Sequence, residues 1–144
     1  MSVQFKDNSA AVKAQLEKNI EKALVSMGLH WQRRATELAT ENEVVDTGRY
    51  RASLSYITPA HESGTNKQAS SSSASQNNDV LRGRAPDKTV IVGSNVNYAP
   101  YIEEGARGRP ARRVVGNAIL YYKDEYEEIA AKILGEGFGV TTSL

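Results

Sequence analysis

The stretch Val92-Gly93-Ser94-Asn95-Val96-Asn97-Tyr98-Ala99-Pro100-Tyr101-Ile102-Glu103-Glu104-Gly105-Ala106-Arg107-Gly108-Arg109-Pro110-Ala111-Arg112 decides how the chain is read. It begins as the end of a strand, because Thr89 to Val92 are all β-branched, and it breaks at Gly93. Pro100 suits the first turn of a helix, where its missing N–H leaves no bond unmade, so Tyr98 to Glu104 reads as one or two helical turns. Gly105 supplies a left-handed stop. Arg107, Gly108, Arg109 and Pro110 then form an extended basic elbow, and a last helix is expected from about Ala111.

Working outward, Ala111 to about Leu134 is predicted as one closing helix. Val114, Val115, Ala118, Ile119, Tyr122, Tyr126, Ile129, Ala130 and Ile133 recur at helical spacing, and Gly135 and Gly137 end the pattern. Upstream, Asn42 to Arg49 carries a turn with Gly48 as its pivot. Tyr50 to Thr58 follows as a strand, with Ala52, Leu54 and Tyr56 on one face and Arg51, Ser53 and Ser55 on the other, until Pro59 stops it. Two motifs therefore stand in order, Val45-Asp46-Thr47-Gly48-Arg49-Tyr50-Arg51-Ala52-Ser53-Leu54 and the Tyr-Ala-Pro-Tyr-Ile-Glu elbow.

These two motifs, in this order and spacing, resemble the tailed-phage neck and tail-completion family, the head–tail joining or minor tail proteins. The resemblance covers roughly residues 9–134. The chain departs from the usual pattern at Ala106, where the family commonly has Thr, and at Val114, where an aromatic commonly follows the Pro-Ala element. The resemblance implies a structural virion protein, assembled in the host cytoplasm and located in the neck or tail. It implies a homo-oligomeric ring, with a hexamer favoured, that joins the capsid connector to the tail around a channel for the genome. Its partners would be copies of itself, a head-side connector or stopper protein, a tail terminator or tail tube protein, and genomic DNA in passing. Gly48, Tyr98, Ala99, Pro100, Tyr101, Glu103, Gly105, Pro110, Arg112 and Arg113 become the motif and subunit-contact residues. Arg107 and Arg109 become candidates for the channel lining.

The N-terminal region reads as one long helix over residues 9 to about 41. Val12, Leu16, Ile20, Leu24, Met27, Trp31, Ala35 and Leu38 form one apolar stripe, and Asp7, Asn8 or Ser9 can cap its start. At 1.5 Å per residue it would span roughly 50 Å, longer than one small sheet needs. The stripe is either core throughout, or half of it meets a neighbouring subunit. Gly28 is a candidate bend. Pro59 to Lys88 is a compositional break, with no aromatic residue and a centre containing Ser70-Ser71-Ser72-Ser73. By itself it offers too little apolar surface to offset its ordering entropy. It is read as the arm of a long hairpin whose strands are about 50–58 and 88–94, or as a flexible Ser-rich insertion. A short tail, 135–144, ends a single domain spanning 1–144.

Composition narrows the function. At 144 residues with a formal charge of +1, the chain is one modest core and no polycation. It contains no cysteine, so disulfides, thiolate metal sites and cysteine nucleophiles are excluded. Neither a signal peptide nor a membrane-spanning run is evident, and no membrane partner is expected. Charge is uneven: residues 82–113 carry a balance of +4 and residues 114–144 a balance of −3. His30 and His61 have no acidic or histidine neighbour at ligand spacing, and adjacent Glu103 and Glu104 would point apart on a helix. Neither a metal nor a cofactor nor an enzymatic activity is expected. The expected architecture is α+β: a long N-terminal helix, a small antiparallel sheet with a long hairpin loop, a short motif helix and a C-terminal helix. The alternative from another class is a nucleic-acid-binding module using the basic elbow 107–113, with Arg82, Arg84, Tyr98 and Tyr101 in support.

Overall fold

The structure is a computed structural model that describes residues 9–41, 48–69 and 78–136. The proposed caps Asp7 and Asn8, most of the 42–49 turn, the serine run and the tail from Gly137 onward lie outside the described residues. Helix α1, Ser9–Glu41, is the spine of the molecule, and the fold is α+β. Around it come α2 (Arg49–Ser53), β1 (Ser55–Ile57), β2 (Ile91–Gly93), α3 (Ala99–Glu104), α4 (Val114–Leu120) and α5 (Lys123–Leu134). Strands β1 and β2 pair antiparallel in the register Ser55↔Gly93, Tyr56↔Val92 and Ile57↔Ile91.

The core forms where α1, α2 and α4 meet. Trp31, Ala35, Leu38, Ala39, Tyr50, Leu54, Val114 and Ala118 are buried together, and the Trp31 indole N–H donates to the Val115 carbonyl at 3.2 Å. Helix α5 runs antiparallel to α1. Glu125 reaches His30 and Arg34 at one end, while the Asn19 amide donates to the Glu136 carbonyl at 2.6 Å at the other. Buried Asn19 thus satisfies a carbonyl just past the end of α5, and Lys22 pairs with the Glu136 carboxylate beside it at 2.5 Å.

Several expectations are corrected. The closing helix is two helices: the chain breaks at Tyr121 and Tyr122, where the Tyr122 backbone (φ −120, ψ 23) leaves helical geometry. That break lets α5 turn back along α1, and Tyr126 clamps it by donating its hydroxyl to the Ala118 carbonyl. Gly135 ends the pattern as expected. The strand expected from Tyr50 starts only at Ser55, because residues 49–53 close a helical turn first. Ser53 and Ser55, expected on a polar outer face, are both buried. The Ser53 hydroxyl is 2.6 Å from the Ser94 hydroxyl, and the Ser55 hydroxyl accepts the Leu81 N–H at 2.8 Å, so polar side chains substitute for longer strands.

Gly28 does not bend α1. The helix runs unbroken past it, and a Cβ there would lie 2.5 Å from the Tyr56 ring, so the glycine admits β1 against the helix. The described flanks of the Ser-rich loop are not a free arm either. Buried Asn66 donates to Thr36 Oγ1 at 2.7 Å and to the Arg51 carbonyl at 2.8 Å, and Asp79, Val80 and Ala85 are buried on the return. Hydrogen bonds to the body thus do what aromatic burial does elsewhere. The apolar stripe of α1 is not core throughout: Leu24, Trp31, Ala35 and Leu38 are buried, while Val12 and Leu16 are exposed.

Candidate functional site

The two sequence motifs meet in space. Gly48 precedes α2 in the left-handed region (φ 73) and leads into Arg49 and Tyr50. The Arg49 guanidinium binds both oxygens of the Asp79 carboxylate, each at 2.8 Å, and Asp79 is almost fully buried. This two-pronged bond ties the first motif to the far side of the Ser-rich loop. Tyr50 points inward, 3% exposed, and its hydroxyl has no hydrogen-bond partner among the described residues. Burial first, and then the nearby Glu103 and Tyr98, hold that phenol well above the usual tyrosine range. Tyr98, Ala99 and Ile102 pack on the same core cluster from the second motif.

The second motif folds as expected through α3. Tyr98 precedes it, Pro100 occupies the first turn, and the Gly105 N–H closes onto the Tyr101 carbonyl at 2.9 Å. From the sequence, Tyr98, Ala99, Pro100 and Tyr101 are expected to anchor this helix against the core, with Glu103 near a basic group of the same or an adjacent chain. Tyr101 does not anchor the helix; it is 63% exposed. Glu103 acts on the backbone of its own chain. Its carboxylate accepts the backbone N–H groups of Val115 at 3.0 Å and Gly116 at 2.9 Å. Helix α4 has no cap of its own, because Arg113 precedes it at φ 47 with no capping side-chain bond. Glu103 therefore reaches across the loop to satisfy the orphan donors of α4 and to set a negative charge at its positive end.

Between these anchors the elbow is closed and braced. Ala106 and Arg109 exchange backbone bonds, Ala106 N–H to Arg109 O at 3.3 Å and Arg109 N–H to Ala106 O at 2.9 Å. Arg107 (φ 42) and Gly108 (φ 81) between them form the two-residue turn with both central residues at positive φ. Gly105 is required twice: its φ is 81, and a Cβ would lie 2.7 Å from the Arg109 carbonyl and 2.9 Å from the Ala111 nitrogen. The Arg112 N–H then donates to the Ile102 carbonyl at 2.8 Å and returns the chain to α3. Pro110, Arg112 and Arg113 are exposed, as are Arg107 and Arg109 at the tip. Among the described residues, Arg107, Arg109 and Arg113 form no ion pair.

The chain matches no family model, no curated protein and no solved structure at a significant level.

Away from the loop, a second polar cluster joins α1 to α5. Arg34 binds Glu37 at 3.0 Å and also Glu125, and it lies 4.2 Å over the Tyr122 ring. His30 stands 3.4 Å from Glu125 and edge-on to Tyr126. The Arg34 hydrogen bond, with a smaller contribution from His30, draws the Glu125 carboxyl below its ordinary value. Sequence spacing gave no sign of this cluster, because residues 30, 34 and 125 become neighbours only when α5 folds back. Glu125 is engaged within its own chain. Among the described residues no group of three His, Asp or Glu side chains is placed to hold a metal, and no helix is long and apolar enough to cross a membrane.

The residues that sequence reasoning missed are the braces: Glu103 as a cap, Asn19, Asn66 and Asp79. A local capping box would have announced a helix start, but Glu103 precedes Val115 by twelve residues. Asn19, Asn66 and Asp79 are of residue types that usually lie at the surface, so their burial had no signal in the sequence.

Proposed function

We propose that this chain is a structural virion protein that forms a ring in the neck of a tailed phage, joining the capsid connector to the tail and completing the tail. The observation that carries this reading is the braced loop. Glu103, Gly105 and the Arg112 N–H fix a segment, 107–113, whose own side chains are all exposed. It also holds Arg107 and Arg113 at positive φ, where a non-glycine residue is strained by roughly 1–2 kcal/mol. A fold that rigidifies a loop burying nothing of itself presents that loop to something else. The motif residues that carry the family resemblance are the ones that build it. The mechanism is assembly: copies dock around a central channel, and the faces of the ring meet the head-side connector and the tail tube.

The competing reading is a nucleic-acid module that uses the same arginines with Tyr101 as a stacking group. Mass decides between them. Sedimentation of nuclease-treated protein should give a closed oligomer if the ring reading holds. A monomer that shifts only when DNA is added would replace it with the second reading.

A further inference from the structure

The largest exposures of apolar side chains in the described structure are Leu120 at 70%, Tyr121 at 64% and Tyr101 at 63%. All three adjoin charge. Tyr101 lies on α3, at the root of the loop that carries Arg107, Arg109 and Arg113. Leu120 and Tyr121 stand at the break between α4 and α5, just before Asp124, Glu127 and Glu128. These three carboxylates recur at steps of three and four, so they share one face of α5. That face is turned away from α1: Asp124, Glu127, Glu128 and Ala131 are exposed, whereas Tyr126, Ile129 and Ile133 are partly or fully covered. Glu125 belongs to the α1 side, where Arg34 holds it. One protomer therefore carries two surfaces of the same design and opposite sign, each an exposed aromatic or leucine beside three charges. Tyrosine and arginine are the residues enriched where interfaces concentrate their binding energy.

We propose that the basic loop of one copy docks head-to-tail on the outer face of α5 of a second copy. Arg107, Arg109 and Arg113 face Asp124, Glu127 and Glu128, and Tyr101 lies toward Leu120 and Tyr121. The occupant is a second copy because the complementary surface is present on the chain itself. The two patches are different surfaces, so the contact is heterologous and repeats around a ring instead of closing at a dimer. The opposite charges fix which face meets which and speed the encounter. The inference rests on the ring reading and names the surfaces that would make it.

The test uses two neutralised variants of the full chain, a loop variant (Arg107→Gln, Arg109→Gln, Arg113→Gln) and a helix variant (Asp124→Asn, Glu127→Gln, Glu128→Gln). Their folding is checked by circular dichroism. Sedimentation velocity is run on nuclease-treated protein at the lowest concentration at which the wild type is assembled. Loss of three exposed pairs should weaken self-association about ten-fold, so each variant alone runs as a monomer. An equimolar mixture retains one intact loop facing one intact helix, and it should stop at a 1:1 dimer. That arrest, against a larger wild-type species, is the signature of head-to-tail docking. If both variants assemble like the wild type, or the mixture stays monomeric while the wild type assembles, the docking surfaces are wrong and the ring reading survives. If the wild type is monomeric throughout, both fail. If the loop variant keeps its assembly but no longer retains a labelled DNA duplex, the loop is a nucleic-acid surface and the docking proposal is overturned.

Discussion

Replacing Glu103 with Ala removes the acceptor for two α4 donors, at 3.0 and 2.9 Å, and leaves both unpaired in a half-covered site. Hydrogen bonds to a charged acceptor contribute about 1.5–3 kcal/mol each when buried, while loss of an ordinary helix cap costs about 0.5–2 kcal/mol. Water can partly replace the carboxylate here, so about 2 kcal/mol is the expected loss. For a chain of 144 residues, between the two size classes for which the conversion is known, that is a fall in Tm of about 8 °C. Glu103→Gln keeps one amide oxygen and loses the charge, and should fall about half as far. Glu104→Ala is the control: it is an exposed neighbour on the same helix and should change Tm by about 2 °C or less. Thermal unfolding at one fixed protomer concentration measures all three, and faster hydrogen exchange at the Val115 and Gly116 amides localises the effect. An Ala variant within about 2 °C of wild type, or a Glu104→Ala variant that falls equally far, would refute the cap.

Gly28→Ala should destabilise by about 1–3 kcal/mol by urea unfolding, because its Cβ would lie 2.5 Å from the Tyr56 ring; helix propensity alone predicts a gain of about 1 kcal/mol, so the sign decides. Glu125, drawn below the ordinary 4.5 chiefly by Arg34, contributes stability that is present above 4.5 and lost as pH falls through its lower folded value. Arg34→Met should flatten that acid limb in a Tm-versus-pH series and leave the neutral-to-alkaline profile intact. Tyr126 is pushed up to about 12, mainly by burial, so its stabilisation is complete below 10 and lost as pH rises toward 12; Tyr126→Phe should remove that alkaline loss as well as the bond to Ala118. Deleting 70–77 and joining the flanks with a short turn should change stability by about 0.6 kcal/mol or less, whereas Asn66→Ala should cost about 1–3 kcal/mol, both read by urea unfolding.

The sequence by itself determined the parts whose physics is local. The stripe through Leu24, Trp31 and Leu38 specifies α1 over the length observed, because helical periodicity needs no distant partner. Pro100 and Gly105 delimit α3, since proline restricts its own backbone and glycine frees it, and the end of the β-branched run locates β2, which begins at Ile91 and includes Gly93. The pairing of the two strands followed from there being two candidates around one loop. Tertiary structure decided everything that depends on residues far apart in the chain. Tyr50 to Ser53 has the alternation of a strand, yet it closes a helical turn, because buried Tyr50 fits the core beneath Tyr98 and Ala99. The continuous stripe from Val114 to Ile133 does not reveal the break at Tyr122, which exists so that α5 can fold back onto α1. The candidate site divides in the same way. Its basic residues and its turn were legible in Arg107-Gly108-Arg109, because charge and backbone permissiveness belong to single residues. Its bracing was not, because a carboxylate capping a helix twelve residues on, or an Asp79 holding Arg49, is specified by where the folded chain brings them.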